Sequence, residues 1–177
     1  MTKLSRRAVA TAVAAVALGA GTATWGAAAA SAAPAPAPVP VCAASQLNVW
    51  VSPDSANGTA GTTYYNLDIT NVSGGPCQLR GWPAVVATNS RGRALGAPAR
   101  AVGHGPVAAV TIFPDATAHA SLGYVDAALS RSCRPATATA LWVGLPGVRG
   151  ARHAFFPLPI CTRRGGNLTI GNIQPGA

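Results

Sequence analysis

From Cys42 onward the chain predicts an all-β domain. Short runs alternate apolar and polar residues with period two, clusters of Gly, Pro, Asn and Ser separate them at spacings of about 8 to 12 residues, and no stretch keeps a helical period. In the first run Leu47, Val49 and Val51 share one face, and Pro53-Asp54-Ser55-Ala56-Asn57-Gly58 should end it. Tyr65, Leu67 and Ile69 repeat the pattern with Tyr64, Asn66, Asp68 and Thr70 opposite, as a strand with one buried and one solvated face requires. Gly74-Gly75-Pro76 then turns the chain into a run from Cys77 to Trp82. Ala84 to Thr88 follows, and Asn89-Ser90-Arg91-Gly92 reads as a hairpin loop into Ala94 and Leu95. Val107 to Phe113 and Thr117 to Val125 flank Pro114-Asp115-Ala116. The last runs are Ala138 to Val143, Arg152 to Phe156 and Asn167 to Ile173.

Some nine or ten short strands in a chain of this length imply an immunoglobulin-like antiparallel β-sandwich over residues 42–177, with a small closed barrel as the alternative. Trp50 and the cysteines do not reproduce the Cys, Trp, Cys spacing of antibody domains, so only the architecture is expected.

The residues in front of this domain predict export. Lys3, Arg6 and Arg7 precede an apolar stretch from Ala8 to Ala20, and Ala30-Ser31-Ala32 supplies the small residues of a cleavage site, so residues 1–32 read as a signal peptide cut after Ala32. Ser5-Arg6-Arg7 hints at the twin-arginine route without the bulky apolar residues that usually follow the pair. The apolar stretch falls short of the ~20 residues of a membrane span, and Cys42 does not follow a lipoprotein box. Residues 33–41 begin Ala-Pro-Ala-Pro-Ala-Pro, which fixes φ and removes amide donors at every second position and gives a stiff spacer. The expected location is extracellular, with cell-wall association as a further expectation.

Cysteine usage agrees with export. Four Cys in an exported chain predict two structural disulfides with three possible connectivities, and nearest-neighbour pairing favours Cys42 with Cys77 and Cys133 with Cys161. Each bridge would stabilise by roughly 3 to 4 kcal/mol in the chain-entropy picture. Zinc binding is disfavoured, because no pair has Cys-x-x-Cys spacing.

Removing Lys3, Arg6 and Arg7 from the 13 Lys and Arg leaves ten Arg against four Asp, a net charge of +6 with no Glu. Such a balance favours anionic wall polymers or acidic partners. The Arg residues fall in short groups at turns: Arg91 with Arg93, Arg131 with Arg134, Arg149 with Arg152, Arg163 with Arg164. A specific nucleic-acid footprint would want a continuous basic stripe interleaved with aromatics, and the sequence has neither.

Catalytic signals are sparse. His104, His119 and His153 are far apart, and a metal site would need two of them to converge with Asp115 or Asp126. His119, Ser121 and Asp126 offer the residue types of a hydrolase, but there is no Gly-x-Ser-x-Gly elbow, and four Asp without Glu leave little choice of acid and base for glycoside cleavage. No enzyme activity, cofactor or metal is expected. Trp50, Trp82 and Trp142 are the candidates for a carbohydrate platform. Core positions are expected for them, with Trp82, between Gly81 and Pro83, nearest the surface. Asn57, Asn71 and Asn167 match the glycosylation sequon.

Cys42 followed by Leu47, the strand Tyr65-x-Leu-x-Ile-Thr-Asn71, and Gly75-Pro76-Cys77-Gln78-Leu79-Arg80-Gly81-Trp82-Pro83-Ala84-Val85 resemble the actinobacterial secreted domain-of-unknown-function family 4232. Gly92 to Gly96, Pro114-Asp115-Ala116-x-Ala118, Cys133-Arg134-Pro135-Ala136, Leu145-Pro146-Gly147 and Cys161 keep the same order, so the likeness runs from Cys42 to Ile173. Trp82 stands where Tyr or Phe is commoner. The resemblance implies a secreted or envelope-tethered immunoglobulin-like sandwich with two disulfides and no established activity. Many relatives look like lipoproteins or carry an added membrane segment, and this sequence shows neither.

The combined expectation is a monomeric secreted interaction module for an envelope or extracellular macromolecule. Its candidate contact residues are Arg91, Arg93, Arg163, Arg164 and Trp82. The alternative is a secreted metal-binding protein or hydrolase using His119 with nearby Asp residues.

Overall fold

A computed structural model describes residues 37–103, 107–129, 132–163 and 166–176. The expected signal peptide, the first part of the spacer, His104, Arg131 and Arg164 lie outside the described residues.

Among the described residues the structure is all-β. Its strands are β1 (Leu47–Thr59), β2 (Thr62–Asn71), β3 (Cys77–Leu79), β4 (Ala84–Thr88), β5 (Arg100–Ala101), β6 (Val110–Ile112), β7 (Thr117–Val125), β8 (Pro135–Gly144), β9 (Ala151–Cys161), β10 (Leu168–Ile170) and β11 (Gln174–Pro175). Short 3-10 turns occupy Ala44–Gln46 and Ala127–Leu129. The large sheet has the order β1-β2-β7-β10-β5, with β11 also paired to β7; the small sheet is β4-β8-β9; β3 and β6 form a two-stranded ribbon. The pairing between strands is antiparallel except that β5 runs parallel to β10, and a single parallel bridge joins Val41 to Gln78, which corrects the wholly antiparallel expectation.

The inner faces follow the alternation in the sequence. Leu47, Val49 and Val51 of β1, Leu67 and Ile69 of β2, and Ala118, Ala120 and Leu122 of β7 are buried. From the small sheet come Val85, Ala87, Leu141, Val143, Leu158 and Ile160, and one continuous core joins both sets with Leu79 and Ile112 of the ribbon. Fully burying a side chain of this size stabilises by roughly 1.5–3 kcal/mol. Arg152 on β9 ties the edges of the two sheets together, its Nε and Nη2 donating to the Leu47 carbonyl at 2.8 and 2.6 Å.

The disulfides join Cys42 to Cys77 and Cys133 to Cys161, closing loops of 35 and 28 residues. The first lies beside a short pairing of the spacer with β3: Gln78 donates its backbone N–H to Pro40 and its side-chain amide to Val39. The end of the spacer is therefore bound to the domain. The second joins Cys133, two residues before β8, to Cys161 at the end of β9, where Pro135 pairs with Cys161.

Three elements differ from expectation. Pro53 to Gly58 do not end the first strand. The register shifts between Ser52 and Asn57, and the Ser55 hydroxyl donates to the Ser52 carbonyl and accepts from the Asn66 N–H at 2.7 Å, replacing ladder bonds that Pro53 interrupts. Ala94 and Leu95 do not build a second hairpin strand. A single bridge joins Thr88 to Ala94, after which the chain crosses to the large sheet as β5. That crossing passes Gly96, whose φ of 68° and close approach to the Cys161 carbonyl leave no room for a side chain. Finally, Trp50 and Trp142 are not core residues: both are 42% exposed, on the outer faces of β1 and β8.

Candidate functional site

The outer face of the large sheet mixes polar groups with the exposed Trp50 and Tyr64. Strand register places Trp50, Asp68, His119 and Gln174 in one row across β1, β2, β7 and β11. The neighbouring row holds Thr70 and Thr117, whose hydroxyls hydrogen-bond at 2.9 Å. A cleft of about 600 Å³ opens beside these rows, lined among others by Asn66, Asp68, Phe113, Asp115 and His119. Partial burial raises the pKa of Asp68 above its ordinary value, and the imidazole of His119 across the strand pair pulls it back in part.

This face does not assemble the catalytic set that the sequence offered. His119 and Ser121 lie two residues apart on one strand. At a rise of ~3.3 Å per residue, Asp126, beyond the end of β7, stands about 23 Å along the strand from His119. Among the described residues no three His, Cys, Asp or Glu side chains gather as a metal-holding cluster, so the metal-binding alternative is without support.

The outer face of the small sheet carries no carboxylate. Its rows are Ala84, Gly144 and Ala151; Val86, Trp142 and His153; and Thr88, Ala140 and Phe155. Phe155 is 86% exposed. Trp142 leans along β8 over Gly144, with ring atoms 3.5 and 3.8 Å from where a Cβ on that glycine would stand. Beside the indole lies a shallow cavity of about 230 Å³ lined by Val86, Thr88, Gly92, Ala94 and Trp142.

Gly92 belongs to the tight loop after β4. There the Asn89 side-chain oxygen accepts from the backbone N–H groups of Arg91 and Arg93, both at 3.0 Å, while the Asn89 N–H donates to the Arg93 carbonyl. Arg91 and Arg93 are exposed on either side of Gly92. None of the four Asp lies in β4, β8, β9, the loop after β4 or the loop between β8 and β9: Asp54 and Asp68 are on β1 and β2, Asp115 precedes β7, and Asp126 begins the segment from β7 to β8.

The other sequence candidates are dispersed. Arg163 is exposed beside a cavity of about 210 Å³ that also touches Asp126, the Cys133–Cys161 bridge and Asn167, and Arg164 lies outside the described residues. Trp82 is half-buried, and its indole N–H donates to the Val102 carbonyl at 2.9 Å, anchoring the segment after β5. Two sequons carry structural asparagines. Asn71 is buried and donates to the carbonyls of Gly75 and Ile112 while accepting from Ser73. Asn167, also buried, donates to Val125 and accepts from the Cys161 N–H, whereas Asn57 is exposed.

Sequence reasoning passed over Phe155 and Asp68 and placed Trp142 inside. The signal for the aromatic pair was present, since both fall at the outward positions of alternating runs. What was missing was the register that makes them diagonal neighbours.

A family model described as Domain of unknown function (DUF4232) matches residues 42–174. No curated protein and no solved structure matches the chain. Among the described residues no helix is long and apolar enough to cross a membrane.

Proposed function

Because the chain belongs to the DUF4232 family, a membership that brings no activity with it, we propose its role from its surfaces: an exported, immunoglobulin-like β-sandwich that serves as an extracellular or cell-envelope interaction module. In this reading cleavage after Ala32 releases a monomer whose spacer leads into the domain, and the large and small sheets are the two layers of the sandwich. The shared core, the two disulfides and the number of short strands support it. The observation that carries the interaction role is the exposure of Trp142 and Phe155 on strands of a rigid sheet, where burial against a partner would remove large apolar surfaces from water.

The test is retention of the purified, oxidised protein on isolated bacterial cell envelope at low and high salt. Saturable retention that survives high salt is expected. Charge reversal at Arg91 and Arg93 should weaken it without moving the melting temperature, whereas reversal at Arg163 should change it little. Retention that vanishes with salt would reduce the interaction to the +6 net charge, and no retention under either condition would overturn the envelope role.

A further inference from the structure

We propose that the outer face of the small sheet is a binding platform for a carboxylated polysaccharide, with Trp142 and Phe155 as stacking surfaces and Arg91 and Arg93 as the carboxylate-binding rim. The proposal rests on the interaction-module reading and names the partner class.

The first support is the shape of the face. Trp142 has Ala140 and Gly144 as its same-face neighbours along β8, and Ala84 and Ala151 flank Gly144 across the sheet. The indole lies over Gly144 between Val86 and His153, its cross-strand neighbours, and 42% of its surface stays exposed. Phe155 lies diagonally across the β8–β9 pair, a step of roughly 7–8 Å, opposite the buried Ala140. Two exposed aromatic surfaces on one sheet face fit successive rings of a chain with apolar C–H faces and hydroxyl edges, which is the chemistry of a pyranose polymer. The adjoining cavity of about 230 Å³ is below the size of a drug-sized pocket and suits one ring, with the rest of the chain lying on the open sheet.

The second support is charge. None of the four Asp belongs to the strands of this sheet, to the loop after β4 or to the loop between β8 and β9; Asp126 lies on the segment leading into β8, at the end of the sheet with the Cys133–Cys161 bridge. The loop that lines the cavity carries two Arg, and the Asn89 hydrogen bonds fix its backbone before any ligand arrives. Guanidinium groups take a carboxylate through two parallel hydrogen bonds. Between the two rings the face itself has no Arg, and His153 is its one titratable group. A polymer with a charge at every unit, such as a nucleic acid, finds cations at the rim alone. A polysaccharide can place one carboxylate there and neutral ring faces on the platform.

The experiment is calorimetric titration of the purified protein with an oligogalacturonate, its methyl-esterified form, a neutral cello-oligosaccharide and a single-stranded oligonucleotide. The oligogalacturonate should bind best. Trp142→Ala and Phe155→Ala should each weaken it by about tenfold or more with an unchanged melting temperature. The 86% exposure of Phe155 keeps that variant informative should Trp142→Ala disturb the fold. Reversal of Arg91 and Arg93 should erase the preference for the acid over its ester.

Equal binding of acid and ester would overturn the carboxylate assignment, and preferential oligonucleotide binding would overturn the polysaccharide. A concentration-dependent dimer abolished by Trp142→Ala would show that a second copy covers the face and would likewise overturn the proposal. Failure to bind any sugar while envelope retention persists would overturn it and leave the interaction module standing.

Discussion

The central strands of the two sheets bury similar inner faces and present unlike outer ones. On β7 Leu122 is fully buried while His119 and Ser121 point to the polar cleft side; on β8 Leu141 is fully buried while Trp142 stands in solvent. Inner faces are set by the need to fill one core and converge on Leu, Ile, Val and Ala. Outer faces escape that constraint, so their divergence is where a role can be read. Both faces present aromatics, Trp50 and Tyr64 on one and Trp142 and Phe155 on the other, but the large sheet sets them among a carboxylate, hydroxyls and an imidazole, whereas the small sheet sets them beside Ala and Gly without a carboxylate.

The largest effects should show that the inner faces are equivalent. Leu122→Ala and Leu141→Ala each remove a fully buried side chain and should cost about 2–5 kcal/mol in denaturant unfolding. By contrast, Trp142→Ala, one residue from Leu141, should stay within about 1 kcal/mol of the wild type. A loss at Trp142 as large as that at Leu141 would break the division between packing and presenting faces.

Asn71 should come next. Its amide holds the Gly75 and Ile112 carbonyls and its oxygen holds the N–H and hydroxyl of Ser73, in a fully buried position between β2 and the turn into β3. Asn71→Ala leaves those groups without their partner and should cost about 1–3 kcal/mol, measured by the same unfolding curves. Asn57→Ala, at the exposed sequon, is the control and should be near neutral. A neutral Asn71→Ala would show that water replaces the side chain and that the network does not hold the turn.

These contrasts mark what the sequence made legible. Period-two alternation identified buried residues of β1 and β2, because burying one face of a strand imposes that pattern locally. It did not identify the outer platform, because Val86, Trp142 and His153 form a row through pairings between separate strands, and the register slips between Ala138 and Ala140. The same limit hid the pairing of Asp68 with His119. Pro53 misled for a different reason: a breaker on an edge strand can be absorbed by a bulge when a hydroxyl such as that of Ser55 takes over the lost bonds. The buried Asn71 read as a sequon because spacing carries no information on burial.

The smallest effect should sharpen the comparison most finely, because it belongs to the large sheet alone. Asp68 has its pKa raised by partial burial, against the opposing pull of His119. Between the ordinary carboxylate value and the raised one, the folded protein holds a proton that the unfolded chain has released. Stability therefore falls as pH climbs through that interval and stays lower above it. Solvent reaching the partly exposed carboxyl keeps the change small. Asp68→Asn should flatten this segment of the stability curve and leave the variant slightly more stable than the wild type above it, measured by urea unfolding across a mildly acidic pH series. A variant that instead loses stability near neutral pH would show that the attraction to His119 outweighs the burial cost. The outer face of the small sheet carries no carboxylate, so Trp142→Ala should leave the acidic limb of the curve unchanged, and a change there would mean that the two faces are coupled through the core they share.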